Sequence, residues 1–401
     1  MRLAVAAYTL AAAVALLLPT SARAAGAPDI QAAGAVLVDA DTGMVLFGKA
    51  IDEPRPMAST TKVMTALLAL EHSSLDEEVV VGDVVKSVTG SNVGLKPGDV
   101  VTMDDLLKSL LLASGNDAAA VIAEHIAGSI EGFADLMNAR AAELGAQHTH
   151  FVNPHGLYDP DHYASAYDLA LITREAFTYP RFRELVGSKV ADVSLPSAPE
   201  NPVQLINHNK LLWRSDYVNG VKTGFVSQSG HCLIAGGVKD DWQLIAVVLD
   251  SPDMYGEAQA LLDYGFDRFT HCVYAKRGDA VGRAPIRGGR RSYVPAVCQR
   301  TLAAITGPGV GEDYRLEVTL DTLKAPVAPG ERAGEARLVA GGEVLSTSLL
   351  VSAEGVPRSR LLVFFVWLLR IAILLVLVGL VIRTYAKALK AHRRRRSRLP
   401  A

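Results

Sequence analysis

The longest apolar run in the chain, residues 361–382, constrains what the chain can fold into more than any other segment. Its 22 residues include a single charged one, Arg370. A helix of this length crosses a hydrocarbon core of roughly 30 Å. A mid-span arginine costs roughly 2.5–3.5 kcal/mol, which about twenty apolar residues at roughly −0.3 to −0.6 kcal/mol each outweigh. A helix in the membrane plane is the alternative, but its polar face needs more than one polar residue. The run therefore predicts one transmembrane helix.

The charges at the two ends of the chain predict its orientation. Only Arg358 and Arg360 lie just before the apolar run, whereas residues 383–401 carry eight basic side chains and no acidic one. The positive-inside rule places this tail in the cytoplasm and the body of the protein outside it. Residues 1–24 have the pattern of a secretory signal peptide, with Arg2, an apolar run and a small-residue cleavage site. A second membrane anchor is the alternative there, but that run is shorter than a typical span. Both ends thus predict an exported, single-pass protein.

Charge and cysteine content exclude several classes of protein. Residues 25–357 carry 27 basic and 42 acidic side chains, a formal net charge of −15, which would repel nucleic acid. The three cysteines show no CxxC or Cys/His ligand spacing, so we expect no metal and no cofactor. Cys232 falls in an apolar run and is expected to be buried. Cys272 and Cys298 lie in one later exported region, where pairing and free thiols are both open.

The hydrophobic patterns predict a layered α/β domain followed by a small β domain. Residues 33–47 alternate around a turn, which predicts a hairpin, and two adjacent strands follow much later at residues 232–236 and 243–249. Between the hairpin and these strands, helical periods occur at residues 59–70, 106–112, 117–126, 131–144 and 168–177. One more helical period follows the last strand, at residues 255–266. A sheet supplied by both ends of the segment, with helices between, is an α/β (α+β) arrangement. Residues 270–355 consist of short Val/Leu runs separated by Gly and Pro, which predicts an all-β domain.

Candidate chemistry begins at Ser59-Thr60-Thr61-Lys62, just before an apolar helical run. If Ser59 opens that helix, Lys62 lies on the same face and its amine is beside the hydroxyl. A serine hydroxyl becomes a good nucleophile when a neighbour takes its proton, and an amine can do this when burial or another cation depresses its pKa. The pair is a candidate nucleophile and base.

Two further patterns follow in the chain. Ser114 and Asn116 form a Ser-x-Asn motif at a predicted helix start, and Lys222-Thr223-Gly224 opens a strand after a turn. Each pattern alone is a common cap or turn. Ser-x-x-K, Ser-x-Asn and Lys-Thr-Gly in this order match the set known from penicillin-binding proteins and class A β-lactamases.

The sequence resembles the low-molecular-mass penicillin-binding proteins of the D-alanyl-D-alanine carboxypeptidase type. The resemblance covers residues 30–267 and is carried by five segments, residues 59–65, 114–118, 153–157, 207–212 and 222–225. The β region resembles that family's C-terminal domain more loosely, through residues 323–327 and Gly330. We therefore expect an antiparallel sheet flanked by helices in the first domain, an all-β second domain and a C-terminal anchor. The expected boundaries are a signal peptide at 1–24, a catalytic domain at 25–268, a β domain at 269–356, a transmembrane helix at 361–382 and a basic cytoplasmic tail at 383–401.

The resemblance also implies a role for each motif residue. The catalytic set is Ser59 as acyl-ester nucleophile, Lys62 as general base and Ser114 as proton relay. The substrate-binding set is Asn116 for the peptide backbone, Lys222 and Thr223 for the terminal carboxylate, Gly224 for close approach, and the backbone N–H groups of Ser59 and Phe225 for the oxyanion. The implied substrates are peptidoglycan stem pentapeptides, which lose their terminal D-alanine, and the implied inhibitors are β-lactams.

Two other functions are open to a chain with these motifs. A class A β-lactamase needs a glutamate in the loop after the second motif, and the stretch between Gly145 and Arg174 contains none. A non-catalytic wall-binding protein would have no need of intact Ser59, Lys62 and Lys222. The chain also departs from some family members, which carry a histidine at the position of Phe225 and an arginine near residues 253–257.

Overall fold

The computed structural model describes residues 26–194, 203–310 and 313–396. The predicted signal peptide, residues 1–24, lies outside these ranges. The chain divides into two compact units, the first comprising Met1–Thr270 with Gly307–Val310 and the second His271–Thr306 with Gly311–Ala401.

The first unit is built on a five-stranded antiparallel sheet with the order β2-β1-β9-β8-β7. Its strands come from both ends of the unit: β1 Gly34–Asp39, β2 Val45–Lys49, β7 Val218–Val226, β8 Gly230–Lys239 and β9 Trp242–Ser251. Two short antiparallel pairs lie apart from this sheet: β3 Glu78–Val80 with β4 Val100–Thr102, and β5 Val190–Val193 with β6 Val203–Ile206. The hairpin and the central strands agree with the sequence patterns, whereas β5 and β6 were not predicted.

Eight helices belong to this unit in the described part of the chain: α1 Lys62–His72, α2 Met103–Leu111, α3 Asn116–Ala127, α4 Ile130–Glu143, α5 Ala166–Ala176, α6 Pro180–Gly187, α7 Leu211–Arg214 and α8 Met254–Arg268. The Thr102 side chain caps α2 by accepting from the Asp105 N–H at 3.2 Å, which is the arrangement that the Thr-x-x-Asp spacing of residues 102–105 predicts. Every residue of α1 from Lys62 to Ala69 is buried, so α1 is the central helix. Its first turn can therefore be fixed by contacts from several sides.

One prediction about α1 needs correction. Ser59 does not lie in the α-helix, because a 3₁₀ turn, Ala58–Thr61, precedes α1 and Lys62 is the first α-helical residue. A 3₁₀ turn has three residues per turn, so side chains at positions i and i+3 are eclipsed. Ser59 and Lys62 are therefore aligned more closely than an α-helix would align them.

The second unit contains a six-stranded sheet with the order β14-β16-β17-β12-β11-β15 and a two-stranded sheet, β10-β13. The strands are β10 Thr270–Ala275, β11 Ala280–Arg287, β12 Tyr293–Cys298, β13 Leu302–Thr306, β14 Tyr314–Leu320, β15 Leu323–Lys324, β16 Arg332–Ala340 and β17 Glu343–Ser352. Small and branched side chains fill its core, among them Ala284, Val294, Ala296 and Leu350. Cys272 and Cys298 are both free, so the pairing that the sequence left open is absent.

The chain continues into one long helix, α9 Arg360–Arg396, of 37 residues. Its segment Phe364–Ala388 is long and apolar enough to cross a membrane, and none of it is buried against the protein. Because apolar side chains are exposed along the segment, the helix has the character of a membrane anchor.

Candidate active site

The Ser59 hydroxyl and the Lys62 amine are in direct contact. Lys62 Nζ lies 2.9 Å from Ser59 Oγ, as the spacing predicts. The Lys62 side chain is completely buried and makes two further hydrogen bonds, to Asn116 Oδ1 at 2.7 Å and to the His155 carbonyl at 2.8 Å. Both of these partners can only accept. A neutral amine therefore donates its two protons to them and turns its lone pair toward the Ser59 hydroxyl.

The electrostatic surroundings of Lys62 favour the neutral amine. Burial lowers the pKa of Lys62 well below its ordinary value, and the positive charge of Lys222 lowers it further. The carboxylate of Asp117 acts in the opposite sense on this pKa. Removal from water is the largest of these effects, so Lys62 is suited to accept a proton from Ser59.

The second motif lies at the junction of α2 and α3. Ser114 has a φ of +60°, and Asn116 is the first residue of α3. One N–H of Asn116 Nδ2 donates to the Thr89 carbonyl at 2.7 Å, which fixes the amide oxygen toward Lys62. Asn116 thus orients the base.

Asp117, next to this motif, holds one wall of the site in place. Its carboxylate accepts backbone N–H groups from Val93, Gly94 and Leu95 at 2.9–3.2 Å. These residues follow Ser91, which lines the cleft. Sequence reasoning missed Asp117 and Ser91, although Asp117 directly follows the Ser-x-Asn motif.

The third motif lies on β7, an edge strand of the sheet. Lys222 is 2% exposed, and burial lowers its pKa to about 7. Its Nζ donates to the Thr223 carbonyl at 3.0 Å. A side chain at Gly224 would place a Cβ 2.9 Å from the Met57 carbonyl oxygen and 3.0 Å from the Ser59 nitrogen. Glycine is therefore required for β7 to approach the Ser59 turn.

The three motifs border one open cleft of about 390 Å³. Its lining consists of Ser59, Ser91, Ser114, His208, Thr223, Gly224, Phe225, His231, Met254 and Tyr255. No carboxylate is among these described residues, so an anionic substrate meets no like charge on the cleft wall. Elsewhere too, no described group of three or more His, Cys, Asp or Glu side chains is placed to hold a metal ion.

The positions where this chain departs from some family members form the aromatic wall of the cleft. Phe225 is exposed and stacks on His231, with ring centroids 4.6 Å apart. The Tyr255 hydroxyl donates to the His208 carbonyl at 3.1 Å, which ties the start of α8 to the segment before α7. The Arg214 guanidinium lies 5.1 Å from the centre of the Tyr255 ring. Phe225 and Tyr255 thus give the cleft an aromatic wall.

His155 contributes its backbone rather than its imidazole. Its carbonyl accepts from Lys62, while its ring Nδ1 accepts from the Leu157 N–H at 3.3 Å. Burial lowers the pKa of His155 to about 3, so the ring is neutral at physiological pH. The side chain therefore shapes its loop, and the carbonyl is the group that contacts the base.

The fold and the serine–lysine site define a serine hydrolase of the penicillin-binding type. A family model described as D-alanyl-D-alanine carboxypeptidase matches residues 21–253, and one described as the C-terminal domain of penicillin-binding protein 5 matches residues 269–358. The chain belongs to the D-alanyl-D-alanine carboxypeptidase family.

Individual relatives support this assignment along most of the chain. D-alanyl-D-alanine carboxypeptidase DacF of Bacillus subtilis is 32% identical over 83% of this chain and 88% of that protein. DacD of Escherichia coli is 33% identical over 83% of this chain and 89% of that protein. The crystal structure of penicillin-binding protein 5 from Haemophilus influenzae matches with a TM-score of 0.62 and 27% identity, over 82% of this chain and 99% of that one.

Proposed function

We propose that residues 25–268 remove the terminal D-alanine from peptidoglycan stem pentapeptides through an acyl ester on Ser59, and that β-lactams trap this ester. The observation that carries the proposal is the contact between Lys62 Nζ and Ser59 Oγ, with both other hydrogen bonds of the amine made to acceptors. This geometry supports a neutral base beside a nucleophile, in a cleft whose described lining residues include no carboxylate.

Acylation begins when Ser59 Oγ attacks the carbonyl carbon of the penultimate D-alanine and its proton passes to Lys62 Nζ. The N–H groups of Ser59 and Phe225 stabilise the negative oxygen of the tetrahedral intermediate. As the C–N bond breaks, the Ser114 hydroxyl relays a proton from Lys62 to the departing amine. Water then attacks the ester and gives its proton to Lys62, which returns it to Ser59 Oγ as the ester bond breaks and the shortened peptide leaves. One base serves both halves of the reaction.

Lys222 and Thr223 bind the free C-terminal carboxylate of the substrate. The lowered pKa of Lys222, about 7, means that the empty site holds only a partial positive charge near neutral pH. An arriving carboxylate favours the ammonium form and raises this pKa again. Binding is therefore accompanied by proton uptake at Lys222, and affinity for the carboxylate decreases as the pH rises above about 7.

Two matched peptides test this function on the purified full-length protein in detergent. We expect D-alanine release from a stem pentapeptide, and at least about 10-fold slower release of D-alaninamide from the same peptide with a C-terminal amide, because the amide cannot pair with Lys222. Raising the pH above 7 should reduce this preference. A fluorescent penicillin should label the protein and remain attached. Rapid turnover of penicillin without D-alanine release would contradict the proposal and indicate a β-lactamase.

We also propose that α9 spans the membrane once, with the enzymatic body outside the cytoplasm and residues 383–401 inside. The apolar segment Phe364–Ala388 and the basic residues that follow it support this topology. Arg370 interrupts the apolar surface at one position, and no polar face accompanies it.

Extraction of membranes with alkaline carbonate tests the anchor. The full-length protein should remain in the membrane pellet, and a variant that ends at residue 359 should be released into the supernatant. Protease added to the outer face of spheroplasts should digest the body and leave a small C-terminal fragment protected. Release of the full-length protein by carbonate would support a helix lying on the membrane instead.

A further inference from the structure

The peptide group between Ala58 and Ser59 is held in an unusual conformation. Ala58 has a φ of +48°, a left-handed value that residues with a Cβ seldom adopt unless their surroundings enforce it. The Ala58 carbonyl accepts a hydrogen bond from Thr61 Oγ1 at 2.8 Å. In a trans peptide the C=O and N–H groups point in opposite directions. The bond from Thr61 therefore sets the direction of the Ser59 N–H as well.

Behind Thr61 lies His162, which fixes the direction of the hydroxyl. His162 Nε2 is 2.8 Å from Thr61 Oγ1, and His162 Nδ1 accepts the Val152 N–H at 3.1 Å. Because Nδ1 accepts, the single proton of the neutral ring is on Nε2 and is donated to Thr61. The Thr61 hydroxyl then has its own proton free for the Ala58 carbonyl. The Val152 N–H, the His162 ring, the Thr61 hydroxyl and the Ala58 carbonyl thus form one hydrogen-bonded chain. Each group in it donates to the next, from Val152 to Ala58.

The environment of His162 keeps the ring neutral. The side chain is 2% exposed, and burial lowers its pKa to about 4. The nearby carboxylate of Asp159 opposes this effect on the pKa, whereas His150 and Lys62 reinforce it. The Phe151 ring packs edge-on against the imidazole, with centroids 5.8 Å apart. The donor direction inferred above is therefore maintained at physiological pH.

Two glycines pack closely around the same peptide group. A Cβ at Gly156 would lie 1.9 Å from the Ala58 carbonyl oxygen and 2.9 Å from the Ser59 nitrogen. A Cβ at Gly224 would lie 3.0 Å from the Ser59 nitrogen. These close approaches bring two further backbone segments against the peptide, and the hydrogen bond from Thr61 fixes its rotation.

We propose that His162 and Thr61 are positioning residues for oxyanion stabilisation, because they hold the Ser59 N–H toward the position of the reacting carbonyl oxygen. Both residues are buried, and their hydrogen bonds lead to the Ala58 carbonyl, so both act through the Ala58–Ser59 peptide. The inference rests on the proposed function, in which the Ser59 N–H is one of the two oxyanion donors.

If the Ser59 N–H no longer points at the oxyanion, the rate of acylation should fall, whereas substrate binding should not weaken. Removal of one oxyanion donor lowers kcat by about 10²–10³-fold, and a tilted donor loses part of this contribution. We therefore expect Thr61→Val and His162→Leu each to lower kcat and the rate of penicillin labelling by about 10- to 100-fold, with little change in KM. Thr61→Ser keeps the hydroxyl and should retain most of the activity. The double variant should be no slower than Thr61→Val, because both changes break one chain.

Thr60 offers a matched control within the same turn. Thr60 Oγ1 donates to the Met57 carbonyl at 2.7 Å and is as buried as Thr61, but it bonds to a different peptide group. Thr60→Val should therefore lower the melting temperature to a similar extent and leave kcat close to the wild-type value. His162→Leu tests the same chain independently if Thr61→Val does not fold.

Equal losses of kcat in Thr60→Val and Thr61→Val would overturn the inference, as would a higher KM with unchanged kcat in Thr61→Val. A failure of the proposed function looks different, since the wild-type protein would then form no acyl ester or Ser59→Ala would still be labelled. Wild-type labelling with an equally fast Thr61→Val variant would reject the positioning role alone.

Discussion

Replacement of Ser59 by alanine is expected to abolish covalent labelling by a fluorescent penicillin and to lower D-alanine release by at least about 10⁴-fold. The hydroxyl is the only group proposed to form a bond with the substrate, and the alanine variant retains the cleft and both lysines. Labelling can be followed on a denaturing gel and D-alanine release by chromatography. Circular dichroism checks that the variant is folded. Unchanged labelling of Ser59→Ala would show that another residue is the nucleophile.

Lys62 provides the companion test of the base. Lys62→Arg places a positive charge beside Ser59 and supplies a group that does not lose its proton in proteins. We expect acylation to fall by about 10³-fold or more, because Ser59 then has no proton acceptor. Lys62→Gln, which is uncharged and has no basic amine, should be similarly slow. Substantial activity in the arginine variant would mean that the positive charge of residue 62, rather than its basicity, is what the reaction uses.

Substitution of Gly156 by alanine is also expected to lower the acylation rate. The added Cβ would lie 1.9 Å from the Ala58 carbonyl oxygen and 2.3 Å from the Ala58 carbonyl carbon, both backbone atoms. Neither can move aside as the end of a flexible side chain does, so the Ser59 turn must shift. A displacement of about 1 Å in a catalytic group can lower a rate by about 10²-fold. We expect a loss of at least this size in the penicillin acylation rate, together with a lower melting temperature.

Gly145→Ala separates this effect from backbone strain alone. Gly145 also has a positive φ, +81°, but an added Cβ there would meet no atom within 4 Å. This control should therefore lose about 1–2 kcal/mol of stability from the left-handed conformation and keep its acylation rate. If both glycine variants acylate at the wild-type rate, the approach of Gly156 to Ala58 has no bearing on the reaction.

Short-range features of this protein could be predicted from its sequence. The neighbouring positions of Ser59 and Lys62 depend on a spacing of three residues, and the cap at Thr102 depends on one turn of helix. The hairpin of β1 and β2 follows from alternation around a turn. In each case the interacting groups are a few residues apart, so local geometry is enough. The prediction that Ser59 opens an α-helix was wrong, because the 3₁₀ conformation of its turn depends on packing around Ala58.

Contacts between distant segments could not be predicted in this way. The His155 carbonyl reaches Lys62 across 93 residues, and His162 reaches Thr61 across 101 residues. A backbone carbonyl has no sequence signature, and a histidine outside any motif is more often structural than functional. The short strands β5 and β6 were missed for a related reason. They are defined by pairing with each other and not by a clear alternation of apolar and polar residues.

The length of α9 and its attachment have a consequence for how the enzyme finds its substrate. At about 1.5 Å per residue, the 37 residues of α9 extend about 55 Å, well beyond a hydrocarbon core of about 30 Å. The connection from β17 to α9 stays paired with the β domain almost to its end, because Val356 pairs with Val327, Arg358 pairs with Gly289, and α9 begins at Arg360. With α9 in the bilayer, as proposed, the β domain is confined to a thin layer next to the membrane. Encounters with the wall polymer then depend on lateral diffusion in two dimensions and on the distance between wall and membrane, rather than on the bulk concentration of either.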